Sequence, residues 1–155
     1  VKLASGNAPL SEFVRRGIPV AIGTDGPASN NCLDFFREMF LVTGLAKLRQ
    51  RDAAAMDALT VLHMATTGGA RAMMLPQCDT LATGKLADVI MIDLHTPNMQ
   101  PLNNIAKNIV YSGSKANAKM TMINGVIRYM DGHYDIGDDP EEIYARANDI
   151  ARRIR

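Results

Sequence analysis

The sequence predicts an α/β fold that passes into an antiparallel β module, and three features predict it. Pro19-Val20-Ala21-Ile22-Gly23-Thr24 is a continuous apolar run without polar alternation, the pattern of a strand buried on both faces as in a parallel sheet. Apolar residues at helical spacing lie on both sides of it. Beyond Pro76 the pattern changes to short apolar runs, with Asn124-Gly125 between two of them, the strongest short-range hairpin signal.

In chain order, Ser11 to Arg16 predicts a short helix with Phe13 and Val14 inward, ended by Gly17 in a left-handed conformation. After the strand, a long helix is expected from Leu33 to Arg49, with Leu33, Phe36, Phe40 and Leu48 on one face and Met39 beside them. Asn30 or Asn31 is its natural N-cap, with Asp34 in the first turn. Asp52 is expected to cap a helix running through Met64 with Met56, Leu59 and Leu62 inward. Thr66-Thr67-Gly68-Gly69 breaks that helix, and a short one over Ala70 to Met74 stops before Pro76. Strands are expected over Leu86 to Leu94, entered through a Gly84-Lys85 turn, and over Ile109 to Tyr111. Met120 to Ile123 and Val126 to Met130 form the hairpin, and Asp131-Gly132 makes the next turn. Asp138 or Asp139, followed by Pro140, starts a final helix whose Ile143, Ala147, Ile150 and Ile154 form a face that should dock on something.

The 155 residues suffice for one ordinary core. A hydrophobic share of 47%, a charged share of 21% and a net charge of +1 fit a soluble globular protein. Arg146, Arg152, Arg153 and Arg155 complement the carbonyl end of the final helix. With no tryptophan and few aromatics, the composition argues against a nucleic-acid ligand. No segment approaches membrane-spanning length and no signal peptide opens the chain; the two cysteines point to an intracellular, reducing setting, and a cytoplasmic location is expected. Cys32 and Cys78 are too few for a disulfide scaffold and read as small buried thiols. Cys32 would be more acidic if it lay in the first turn of the long helix. The ten methionines read as adaptable core filler. The chain opens on Val1 rather than methionine and is expected to be a fragment of something longer.

Chemistry is expected at Asp25, because parallel strands deliver functional residues at their carboxyl ends, where loops open into pockets. Taken alone, Thr24-Asp25-Gly26 is also a turn signal. His63 reads as a packed or surface residue of a helix. His95 and His133 sit in loops without a second ligand at metal spacing. There is no nucleophile elbow and no glycine-rich phosphate loop. Lys2, Ser5 and Gly6 read as loop, and Asp88 and Asp93 as turn and edge residues of the β half.

The order of pieces is more specific than any one of them. Lys2-Leu3-Ala4-Ser5-Gly6, then Gly23-Thr24-Asp25-Gly26-Pro27-Ala28-Ser29-Asn30-Asn31-Cys32-Leu33-Asp34, then Gly68-Gly69-Ala70-Arg71-Ala72, then Gly84-Lys85-Leu86-Ala87-Asp88 and Asn124-Gly125 occur in succession. This resembles the carboxyl-terminal third of the amidohydrolase superfamily, in the branch of 5-methylthioadenosine/S-adenosylhomocysteine deaminases. The resemblance implies the last part of a (β/α)8 barrel over residues 1–75, part of an antiparallel β-sandwich over 76–137, and a C-terminal helix over 138–155. Pro19 to Thr24 would be the eighth barrel strand. Asp25 would be the aspartate that approaches a divalent metal, usually zinc and sometimes iron, and handles protons as an adenine nucleoside is hydrolytically deaminated. Ser5 and Asn30 are candidate substrate-binding residues, with Lys2 and Gly6 beside the pocket; Asn30 and Asn31 also read as residues that order the loop.

The family's His-x-His pair, its two further histidines and its glutamate find no match here. The metal is therefore not expected to be held by this chain alone, which would act with the amino-terminal remainder of the barrel and be inactive without it. The resemblance also implies a homo-oligomer. A chlorohydrolase or another heterocycle aminohydrolase of the same superfamily is the nearest alternative. A non-catalytic interaction module, self-associating through exposed apolar surface, is the other.

Overall fold

The computed structural model describes residues 3–154. Helix α1 (Leu10–Arg15) ends at Gly17, whose φ of +68° is the left-handed turn expected there. Phe13 is half-buried, but Val14 is exposed rather than inward. Helix α2 (Phe35–Gln50) is capped by Asp34 and not by Asn30 or Asn31. The Asp34 carboxylate accepts the N–H groups of Phe36 and Arg37 at 3.0 and 3.4 Å. Leu33, with φ +46°, turns the backbone off the helical path just before the cap, which leaves Cys32 outside the first turn. The buried stripe of α2 is Phe36, Met39, Thr43 and Ala46; Leu33, Phe40 and Leu48, expected in that stripe, are exposed.

Asp52 closes a turn instead of capping a helix, its carboxylate accepting the Ala54 N–H at 2.8 Å. Met56 is left-handed (φ +54°), and α3 (Ala58–Ala65) starts only at the Asp57 cap. That later start turns Ala58, Val61 and Met64 inward and leaves Leu59 exposed. Gly68 and Gly69 lie within helix α4 (Thr67–Ala72), which replaces the expected Ala70 to Met74. Gly68 serves close approach: a Cβ there would sit 2.5 Å from the Val20 carbonyl oxygen.

Pro19 to Thr24 departs from expectation. No strand pairs with it among the described residues, whose one sheet is formed elsewhere. Its burial nevertheless alternates with period two, with Val20, Ile22 and Thr24 half-buried and Ala21, Gly23 and Asp25 exposed. One face therefore packs on the core and the other is open.

The sheet has order β1-β2-β3-β4, every pair antiparallel. Strand β1 (Val89–Ile92) is shorter than the expected Leu86 to Leu94. β2 (Ala118–Ile123) joins β3 (Val126–Met130) through Asn124 and Gly125, both at positive φ as a two-residue hairpin turn requires. Asp131-Gly132 leads to β4 (His133–Tyr134). Ile109 to Tyr111 is helix, not strand. It lies in α5 (Ile105–Ser112), capped by the Asn104 side chain on the Lys107 N–H at 3.0 Å. Helical geometry puts Ile109 and Val110 on one core-facing side, and that burial overrides the β preference of a branched run.

The core joins Phe36, Met39 and Ala46 of α2 to Ala58, Val61 and Met64 of α3 and to Val110, with Val20 and Ile22 packed against it. Asp34 ties the helical layer to the distant loop, its second oxygen accepting the Lys115 N–H at 3.2 Å. Buried Asn117 knits that loop to the end of β1 through Thr96, Asn98 and Ser114. Helix α6 (Pro140–Arg153) starts at Asp139 with Pro140 in its first turn, yet buries no residue. The docking expected of it is not seen among the described residues. None of their helices is long and apolar enough to cross a membrane.

Two glycines test this packing with opposite signs. Gly68→Ala forces a methyl group onto backbone and is expected to cost about 1–3 kcal/mol. Gly44→Ala in α2 meets nothing within 4 Å and is expected to stabilise by about 0.5–1 kcal/mol. Urea denaturation of the two variants measures both.

Candidate active site

A pocket of about 310 Å3 opens where the end of the Pro19–Thr24 segment meets α2. Asp25 lines it at the end of the period-two segment. Its backbone is left-handed (φ +60°), a conformation aspartate tolerates better than most residues. The carboxylate is solvent-exposed and accepts the Gly26 N–H at 2.7 Å. The Ser29 hydroxyl and, after it, the Gly26 N–H hold Asp25 below the usual carboxylate range. Both favour the charged form, so Asp25 is an anion at neutral pH.

The loop closes on the Gly26 carbonyl. That oxygen accepts the N–H groups of Ser29 and Asn30 at 3.1 and 2.9 Å. Asn30 also lines the pocket, and both ends of its carboxamide are engaged. Its Nδ2 donates to Glu38 Oε1 at 2.6 Å, and its Oδ1 accepts the Cys32 N–H at 3.2 Å. Arg37 and Glu38, in the first turns of α2, form the facing wall with Leu41, Val42 and Leu45.

Of the residues singled out in the sequence, the structure brings Asp25 and Asn30 to one pocket, with Gly6 on its rim. Ser5 is exposed and does not line it. Lys2 lies outside the described residues. Ser29, Glu38, Arg37 and Asn7 were not foreseen. The sequence signal for Glu38 was helical spacing, since Glu38, Val42 and Leu45 share one face of α2.

The described residues do not by themselves form a metal centre. Among the described residues no three His, Cys, Asp or Glu side chains gather where they could hold an ion. His63 borders a separate apolar groove with Ile18, Val20 and Arg71, His95 follows β1, and His133 lies in β4. Asp25 is one carboxylate, and a catalytic zinc takes three protein ligands. Asp88 and Asp93 do the work of turns and strand ends, accepting the N–H groups of Asn124 and His95.

Asp25 thus stands at the end of a core-packed apolar segment, at the lip of a polar pocket on an α/β scaffold. The amidohydrolase family model matches residues 1–128, and the chain belongs to that family. Over 154 residues it is 44% identical to a 5-methylthioadenosine/S-adenosylhomocysteine deaminase of Nitratidesulfovibrio vulgaris, covering 99% of this chain and 35% of that protein. Among solved structures it is similar to an adenosine deaminase of Xanthomonas campestris with bound zinc, at TM-score 0.94 and 37% identity, over 99% of this chain and 35% of that one. It is also similar to a zinc-complexed atrazine chlorohydrolase of Arthrobacter aurescens, at TM-score 0.82 and 25% identity, over 92% of this chain and 32% of that one. The chain thus spans 35% of the length of the deaminase it matches.

Ser29→Ala removes the foremost cause of the lowered Asp25 pKa, and the midpoint is expected to move upward. Because the folded value lies below the unfolded one, the contribution of Asp25 to stability is complete above the ordinary carboxylate pKa. It is lost as pH falls through the lower folded value. Carboxyl 13C titration of the two proteins compares the midpoints directly.

Proposed function

We propose that this chain is the carboxyl-terminal portion of a metal-dependent amidohydrolase that deaminates an adenine nucleoside such as 5-methylthioadenosine or S-adenosylhomocysteine. In this reading residues 1–75 end a (β/α)8 barrel, 76–137 supply part of a β-sandwich, and 138–155 close the chain as a helix. Pro19 to Thr24 is the last barrel strand. Its period-two burial, and edges that no strand pairs among the described residues, support that assignment, because a barrel strand has neighbours on both edges. The polypeptide that supplies those neighbours is the partner of this chain, and it brings further zinc ligands, since no three His, Cys, Asp or Glu side chains gather among the described residues. Two free cysteines fit a reducing, cytoplasmic setting.

Hydrolytic deamination adds water at the ring carbon bearing the amino group and breaks that C–N bond. Ammonia leaves, and an inosine-type ring remains. Asp25 is the proton carrier: its carboxylate accepts a proton as water adds and returns it to the departing nitrogen, ending ionised as it began. What supports this most is that the charged Asp25 opens onto the pocket in a chain 44% identical to a named deaminase. The likeness to the atrazine chlorohydrolase favours the second reading, hydrolysis at a triazine or related ring.

The test is a chimera in which this chain replaces the matched segment of the Nitratidesulfovibrio deaminase, assayed for ammonia released from 5-methylthioadenosine and for turnover of triazines. Nucleoside turnover is expected, with Asp25→Asn lowering kcat by about 10²–10⁴-fold, the range for loss of a positioned proton carrier. Turnover of triazines alone would favour the second reading. A folded chimera inactive on both classes would point to a non-catalytic module.

A further inference from the structure

We propose that Glu38 is a positioning residue: through Asn30 it clamps the Asp25–Cys32 loop to helix α2 and so holds the Asp25 carboxylate over the pocket. The path is short and continuous. Glu38 Oε1 accepts from Asn30 Nδ2 at 2.6 Å, and the Asn30 N–H donates to the Gly26 carbonyl at 2.9 Å. The Gly26 N–H in turn donates to Asp25 Oδ1 at 2.7 Å. The other end of the Asn30 carboxamide takes the Cys32 N–H, so one side chain pins both halves of the loop.

Three observations separate this from an incidental surface contact. Helix α2 already has its cap in Asp34, so Glu38 is not needed to start the helix. The Asn30–Glu38 bond is partly buried and has a charged acceptor, which makes it stronger and more directional than a neutral surface pair. Asp25 and Leu33, which bracket the loop, both have left-handed backbones. Such conformations persist where the surroundings over-determine them, and the clamp supplies that constraint at a pocket wall. Asn30 thereby acts through the loop, and its engaged carboxamide is spent on order rather than on a ligand.

The test uses hydrogen exchange by NMR on the full chain. In Glu38→Ala the amides of Gly26, Ser29, Asn30 and Cys32 are expected to exchange roughly tenfold faster or more, the factor for losing a hydrogen bond to a charged group. The amides of Val61 and Val110 are expected to hold their rates. Glu38→Gln keeps an acceptor at the same reach and is expected to restore the loop to within about threefold. Asn30→Ala should loosen the loop to the same extent, and the double variant no further than either single one. Loop rates unchanged in both alanine variants, or loosening that simply adds in the double variant, would overturn the clamp. If Glu38→Ala loosens the core amides as well, Glu38→Gln decides: recovery of the loop supports the clamp, and failure to recover with an intact core overturns it. The catalytic consequence rests on the deaminase reading. In the chimera Glu38→Ala is expected to lower kcat about tenfold or more with little change in KM, and Glu38→Gln to recover it. A loosened loop in a chimera that never deaminates would overturn the deaminase reading and leave the clamp standing.

Discussion

The contact on which the structure depends is the seating of the Val20 carbonyl against Gly68. Only a residue without a side chain lets α4 come so near, and the contact fixes the depth at which the apolar segment lies on the helices. Val20 and Ile22 then fall against the core of Phe36, Met39, Val61 and Met64, and the next inward position is Thr24. Asp25 emerges immediately afterwards, at the lip of the pocket. Moving the segment outward by the width of a methyl group would carry the carboxylate with it.

Two further constraints tie α2 to the end of α5 and to the turn that leads into β2. Gly113 lets the end of α5 pass the ring of Phe36, where a Cβ would lie 2.6 Å from Cδ1. Asp34 divides its carboxylate between the start of α2 and the Lys115 N–H, so one buried anion sets both the helix origin and the position of the returning chain. A buried carboxylate is costly unless its lone pairs are met, and here backbone N–H groups meet them. The wall of the pocket that carries Arg37 and Glu38 inherits its position from this junction. The pocket is thus built from residues 6–45 and held in place by contacts to Gly68 and Lys115, which are remote in sequence.

What the sequence disclosed follows the reach of each interaction. The end of α1 at Gly17, the Asn124-Gly125 hairpin and the start of α6 at Asp139-Pro140 are decided within three or four residues, and they were legible. The cap of α2 was not, because Asn30, Asn31 and Asp34 are all good caps. The choice falls to Asp34 only once Leu33 turns left-handed and Lys115 arrives from the other half of the chain. Ile109 to Tyr111 has strand-forming residues, yet burial against α2 and α3 makes it helix. Gly68 looked like a breaker for the same reason that it is indispensable, since the backbone it approaches is remote in sequence. At the site, Asp25 could be read from its position after an apolar run. Ser29 could not, because its role exists only after the loop closes on the Gly26 carbonyl, and Glu38 showed only its place on the Val42–Leu45 face of α2.

The edges of Pro19 to Thr24, which no strand pairs among the described residues, bear most directly on the proposal that this segment is a barrel strand. Backbone hydrogen exchange at Val20 to Thr24 measures it, first in the chain alone and then in the chimera with the Nitratidesulfovibrio deaminase. The expected result is near-unprotected exchange in the chain and strong protection in the chimera, as ladder bonds form on both edges. Strong protection in the chain alone, or exchange equally fast in both, would contradict the account.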